Sequence, residues 1–229
     1  MSLPQTDPPV PGPGALPGPG STSGPEGAAA RALLDATRLR DPSLAAHGER
    51  TAQIAVAIAE AMGLDSAMRD RVFLGAHLHD VGKLGVSEAI LWKPAGLTQS
   101  EWKAMRSHPE HGHRLVVEIV HRDVASSVLY HHERADGDGY PFGIDGRTLP
   151  ITVRIVQVAD AFDAITSDRP YEPAAPTDDA VVEITRCAGT QFDPEVAHSL
   201  GGLFWDGFEA PPLRPVTGVG APADPFATL

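Results

Sequence analysis

The segment HLHDVGK, from His77 to Lys83, places an imidazole, a carboxylate and an ammonium group close together: His79 and Asp80 are adjacent, and Lys83 follows within the next turn of chain. Imidazole and carboxylate together suit a borderline or hard divalent cation, while a nearby lysine suits a phosphate that the cation would polarise. An isolated His-Asp pair is weak evidence. Its weight comes from His47, His108, His131, His132 and Asp160, which lie elsewhere along the chain in matching contexts.

The acidic residues are the sharper clue. Asp80 and Asp160 fall on helix faces that are otherwise apolar, and an unpaired buried carboxylate is so costly that each needs a cation, a metal or hydrogen bonds. A shared metal cluster would satisfy both. His131 and His132 are consecutive and diverge by about 100° on a regular helix, so both reach one ion only at a helix end, where this chain enters a Gly-rich loop. His77, His111, His113, His121 and His198 lack such contexts and are assigned to surface or core.

The elements that must position these groups are helices. The spacing of Leu44, His47, Ile54, Ile58 and Ala61 predicts a helix over 43–62 that ends at Gly63. A second, over 66–80, carries Val72, Phe73, Ala76, His79 and Asp80 on one face until Gly82 breaks it. Thr98 with Glu101 forms a capping box, and Pro109 opens a helix with His108 as its flank. Further helices are expected over 28–40, 123–132, 151–166, 177–188 and 194–204, the last with Asp193 as N-cap, and 133–150 reads as a loop. With no alternating strand pattern and no internal repeat, the chain is expected to fold as an all-α domain.

The chain has 229 residues, but residues 1–27 contain eight Pro and six Gly and little that could form a core, so they read as a disordered leader. Residues 209–229 read as a Pro-rich tail, leaving one domain over 28–208. A net charge of -12 argues against grip on a nucleic-acid polymer through a broad basic face. Without a signal-like leader or a long apolar run, a soluble, cytoplasmic protein with no membrane contact is expected. Cys187, the only cysteine, excludes an internal disulfide and reads as a small core residue.

The chain resembles the HD-GYP family, a branch of the HD metal-dependent phosphohydrolases. The resemblance rests on HGER at His47, HDVGKLGV from His79, ILWKPAGLTQSEWKAMRSHPEHG ending at Gly112, HHERADGDGYP from His131, VADAFDAITSDRPY from Val158 and AGTQFDPEV from Ala188, in the family's order and spacing. It implies an HD-domain-like helical bundle with a Gly-rich GYP loop, and metal ligands at His47, His79, Asp80, His108, His131, His132 and Asp160. Seven ligands exceed what one octahedral ion accepts while leaving room for substrate, so two divalent ions are expected, with Asp80 as bridge. His47, His79 and Asp160 would complete one site, and His108, His131 and His132 the other. Ligation by nitrogen and oxygen without thiolate points to iron or manganese. Some family members bind a third metal through a glutamate one turn before the first histidine; Ser43 stands there in this chain.

Two ions sharing a hydroxide can carry out in-line phosphodiester hydrolysis, with Asp80 and Lys83 as the catalytic pair. Lys83 and Arg169 would hold phosphate oxygens. The resemblance implies cyclic di-GMP as substrate, with linear pGpG or GMP as product, although Glu172 stands where many members have a basic residue. Tyr140, between Gly139 and Pro141, offers a ring with a polar tip for substrate binding or for shaping the loop, with Gly139 permitting an unusual backbone angle. Contact of this loop with a diguanylate cyclase domain is a further family-based reading, and a homodimer is compatible with the sequence. The competing functions are hydrolysis of another nucleotide or cyclic dinucleotide, a catalytically weak cyclic di-GMP-binding module, and an oxygen-binding di-iron protein, which would leave Lys83 and Arg169 without a purpose.

Overall fold

The computed structural model describes residues 25–168 and 173–205; Arg169, Glu172 and the Pro-rich tail lie outside the described residues. The described chain is helical, with no strand, and one isolated bridge joins Ala188 to Phe192. The first five helices are α1 (Pro25–Arg40), α2 (Pro42–Ala61), α3 (Ser66–Leu78), α4 (Glu88–Leu91) and α5 (Gln99–Met105). They are followed by α6 (His108–Val116), α7 (Arg122–Tyr130), α8 (Ile151–Thr166), α9 (Thr177–Arg186) and α10 (Pro194–Phe204). Among the described residues no helix is long and apolar enough to cross a membrane.

Local chemistry sets the boundaries. Asp41 caps α2 by accepting from the Ser43 and Leu44 amides, and Pro42 occupies the first helical position, where its missing N–H costs nothing. The Thr98–Glu101 capping box is formed in both directions at α5. Asp193 caps α10 through the Glu195 and Val196 amides. The first helix begins at Pro25, three residues inside the segment expected to be a disordered leader.

Two apolar clusters flank the site. One draws Ala52, Ala55 and Ile58 of α2 against Val72 and Ala76 of α3, Ile155, Val158 and Ala159 of α8, and Ile184 and Leu200 of α9 and α10. The alanines stabilise little by area but let α2 approach α8 closely, which brings His47 and Asp160 together. The other joins Ala30, Leu78, Val81, Val116, Val124 and Val128, linking α1, α3, α6 and α7. Each of its fully buried valines and leucines contributes about 1.5–3 kcal/mol by leaving water.

The helix expected to run through Asp80 stops at Leu78: His79 is its C-cap, and Asp80 (φ -97°, ψ 6°) starts a 3-10 turn over Val81–Gly85. The cause is close packing, because Gly82 lies directly against the α6 backbone, where a Cβ would stand 1.9 Å from the His108 carbonyl oxygen and 2.4 Å from the Gly112 nitrogen. His108 is the first residue of α6 rather than its flank, with Ser107 as N-cap. Arg40, at the end of α1, donates to the Leu84 carbonyl and, at 2.7 Å, to that of Val86, fixing the turn that carries Lys83.

Candidate metal centre

Three of the histidines stand at helix ends: His79 after α3, His108 at the start of α6 and His131 after α7. Each donates its Nδ1–H to the carbonyl three residues back: His79 to Ala76 at 2.6 Å, His108 to Met105 at 2.9 Å and His131 to Val128 at 3.0 Å. A carbonyl can only accept, so each ring carries its proton on Nδ1 and turns an Nε2 lone pair inward, the second-contact arrangement that orients metal-binding imidazoles. His47, one and a half turns into α2, gives its Nδ1 to Asp163 at 2.7 Å, and Arg50 holds that carboxylate through Nε at 2.6 Å and Nη2 at 2.9 Å.

Asp80 lies at the centre with its two oxygens facing different neighbours. Oδ1 is 3.1 Å from His108 Nε2 and 3.8 Å from His131 Nε2. Oδ2 is 3.4 Å from His79 Nε2 and 3.9 Å from His47 Nε2, and it accepts from Lys83 Nζ at 2.7 Å. Asp80 makes no side-chain bond to cap its own turn, which leaves both oxygens aimed into the cage. Asp160 Oδ1, from the middle of α8, sits 3.1 Å from His47 Nε2 and 3.7 Å from His79 Nε2. His132 completes the far side, its ring 4.1 Å from that of His131 and 5.1 Å from that of His108.

The donor atoms thus form two sets that share Asp80: Asp80, His108, His131 and His132 on one side, and His47, His79 and Asp80 on the other, with Asp160 against the two imidazoles. Protons cannot hold the first set together. His108 Nε2 and His131 Nε2 are 3.1 Å apart, and burial, foremost among several effects, holds both imidazoles below their ordinary pKa and therefore neutral. Burial and then the neighbouring His108 push His132 down to about 3. Asp80 Oδ1 is buried without a hydrogen-bond partner. Lone pairs facing a carboxylate oxygen at these distances repel unless a cation lies between them, so the donor set fits a divalent metal.

The second set differs by one proton. Burial lowers His47, but hydrogen bonds to Asp160 and Asp163 outweigh it and raise the imidazole to about 9. Burial also acts against ionised Asp160, yet His47 and His79 hold its carboxyl well below the usual range. Metal loading must therefore displace a proton from His47: at pH 7.5 about one proton per chain is expected to be released, and affinity at this set should rise with pH up to about 9. Calorimetry of the stripped protein in buffers of different ionisation enthalpy reads this directly; metal uptake without proton release would contradict it.

Several supporting residues carry no signal strong enough to single them out in the sequence. Asp163 lies one turn beyond Asp160, and Arg50 one turn beyond His47, so two i,i+3 pairs on facing helices were the available signal. Asp163→Asn should weaken metal affinity about 10- to 100-fold, since partners of a ligating histidine typically matter that much. Competition against a graded chelator measures it, and unchanged affinity would show that Asp163 serves packing alone. Glu133, buried after His132, accepts from the Phe142 and Ile144 amides at 2.8 and 3.1 Å and pins the 133–150 loop. Gln157 donates to the Tyr130 and Glu133 carbonyls at 3.1 and 2.8 Å, fixing the end of α7.

The backbone of the Gly-rich loop differs from the expectation at Gly139. Positive φ occurs at Gly137 (82°) and Gly143 (65°), and not at Gly139. Gly139 is required by space instead: a Cβ there would stand 2.5 Å from both the His132 carbonyl oxygen and Glu133 Cα. Tyr140 stacks on His132 with centroids 4.6 Å apart at 20°. Ser43, at the position of the third-metal glutamate, spends its hydroxyl on Asp41 at 2.6 Å. His77 stays outside the cage, edge-on to Phe73.

The chain matches the HD domain family model over residues 31–196. It is 38% identical over 171 residues to the cyclic di-GMP phosphodiesterase response regulator RpfG of Xanthomonas campestris, covering 73% of this chain and 45% of that protein. It is 39% identical over 164 residues to a cyclic di-GMP phosphodiesterase of Thermotoga maritima, covering 70% of this chain and 45% of that protein. Similarity to the 3'3'-cGAMP-specific phosphodiesterase 3 of Vibrio cholerae is 38% over 164 residues, covering 70% and 35%. The chain thus spans less than half the length of these relatives. Among solved structures, an HDG"Y"P protein from Bdellovibrio bacteriovorus (Bd1817) shares the fold with a TM-score of 0.59 at 18% identity, covering 78% of this chain and 61% of that one. The PgpH HD domain of L. monocytogenes, in complex with cyclic-di-AMP, does so with a TM-score of 0.51 at 16% identity, covering 78% and 99%.

Proposed function

The chain belongs to the HD domain family, in its HD-GYP branch, and from that membership and the two-sided cage we propose that it is a dinuclear metal phosphodiesterase that hydrolyses cyclic di-GMP to pGpG or GMP in the cytoplasm. The observation that carries the reading is Asp80, which offers one carboxylate oxygen to each half of the cage. The nitrogen- and oxygen-donor set, free of thiolate, favours iron or manganese. Two such ions, when bound, supply Lewis-acid activation of water and neutralise charge on a phosphodiester.

The residues have separable tasks. Asp80 and Asp160 are held ionised, and His108, His131 and His132 neutral, which are the protonation states that ligation demands. His47 reaches its ligating state by giving up one proton. The Lys83 ammonium, now paired with Asp80, has a phosphate oxygen as its alternative acceptor and steadies charge developing there. Arg169 would add a second cationic contact to phosphate, and Tyr140 extends the cleft beyond His132.

The test is product formation from a panel of cyclic dinucleotides, followed by chromatography with reduced, iron- or manganese-loaded protein. The relatives favour two substrates, cyclic di-GMP and 3'3'-cGAMP, and the proposal expects pGpG or GMP from cyclic di-GMP at the highest kcat/KM. Turnover of other nucleotides alone would defeat it, and tight binding without turnover would assign the domain to signalling by binding.

A further inference from the structure

We propose that Arg106 binds the substrate, gripping the phosphodiester of the cyclic dinucleotide that is not being cleaved, and that Tyr140 is its positioning platform. This rests on the substrate class read above. Arg106 is the C-cap of α5, two residues before His108, and its guanidinium lies over the Tyr140 ring at 5.1 Å and over the Trp102 ring at 5.8 Å. Tyr140 in turn stacks on His132 of the cage. Arg106 and Tyr140 line the same cleft as His131, His132 and Asp160, so the stack runs from the metal cage to the cleft wall.

Charge singles out this arginine. The other described cation lining the cleft, Arg134, is paired through Nε and Nη2 with Asp136 at 3.0 and 2.7 Å. Among the described residues no carboxylate pairs with Arg106, whose side chain is exposed and meets the Tyr140 and Trp102 rings. A guanidinium resting on an aromatic face keeps its in-plane N–H groups free, and that flat fork matches two oxygens of a phosphate. A cyclic dinucleotide carries two phosphodiesters. With one at the metals, the other must be met by the protein in a chain of net charge -12, and a stacked arginine without an acidic partner among the described residues is suited to it.

The proposal separates substrates by the number of phosphates they carry. Bis(p-nitrophenyl) phosphate has one diester and reaches the metals alone, whereas cyclic di-GMP has two. In Arg106→Ala, the loss in kcat/KM for cyclic di-GMP should exceed the loss for bis(p-nitrophenyl) phosphate by about tenfold, expressed mainly in KM, as expected for one charge-assisted contact. Equal losses on both substrates, or a fall in thermal stability that accounts for the change, would overturn it and leave Arg106 a staple of the loop. If metal-loaded parent protein binds cyclic di-GMP without cleaving it, the phosphodiesterase reading fails. Calorimetric Kd values for parent and Arg106→Ala then decide the arginine, a tenfold weakening supporting it and equal values refuting it. Absence of binding by the parent refutes both.

Discussion

Asp80→Asn is expected to lower turnover of cyclic di-GMP by about 10³-fold or more, equivalent to roughly 4 kcal/mol in the barrier, while leaving the fold intact. The substitution keeps the volume of the side chain but removes its charge and turns one end into a donor. Since Oδ1 serves His108 and His131 and Oδ2 serves His79 and His47, either orientation of the amide spoils one half of the cage. Metal content should fall by about one ion per chain. The melting temperature of stripped protein separates this from unfolding: Asp80 accepts from Lys83 and faces the protonated His47 imidazole, so loss of its charge is expected to lower that temperature, and activity lost at a temperature where the variant is still folded marks the loss as one of the metal site. Retention of near-parental activity would show that the carboxylate does not bridge.

The second large effect is structural in origin. Gly82→Ala should destabilise the protein by about 3 kcal/mol or more and lower its melting temperature by roughly 6–12 °C, with activity lost in parallel. Its Cβ would meet backbone on both counts, the His108 carbonyl oxygen at 1.9 Å and the Gly112 nitrogen at 2.4 Å, and Gly112 is itself closed in by Val128. No side chain can swing aside, so the 3-10 turn must part from α6, and Asp80 must part from His108. Gly202→Ala, on the exposed face of α10 with nothing within 4 Å of the added Cβ, is the matched control and should be neutral or slightly stabilising. A Gly82→Ala protein that melts with the parent would refute the close approach.

The parts of the molecule that were legible in the sequence are those set by local rules. The α8 and α10 limits followed from apolar spacing and from Asp193, and the capping box placed the start of α5. The geometric condition on His131 and His132, that both reach one ion only at a helix end, corresponds to α7 closing at Tyr130. What escaped depends on contacts between distant segments. The end of α3 at Leu78 is imposed by α6, which begins 30 residues later in the sequence, and nothing in the local pattern of 66–80 distinguishes it from a longer helix. The 3-10 turn and α4 are too short to show a period. Asp163 and Arg50 read as an ordinary acid and base until the packing of α2 on α8 brings them to His47. Gly139 illustrates a right residue with a wrong reason: the sequence can mark a glycine, but only the fold shows whether it is needed for its backbone angle or for the room it leaves.

The central claim, a carboxylate shared between two metal-binding halves, is tested most directly by counting metals in protein purified without oxygen. Metal analysis of the loaded parent is expected to give two ions of iron or manganese per chain. One ion per chain at full occupancy would contradict the dinuclear centre and, with it, the bridging role of Asp80.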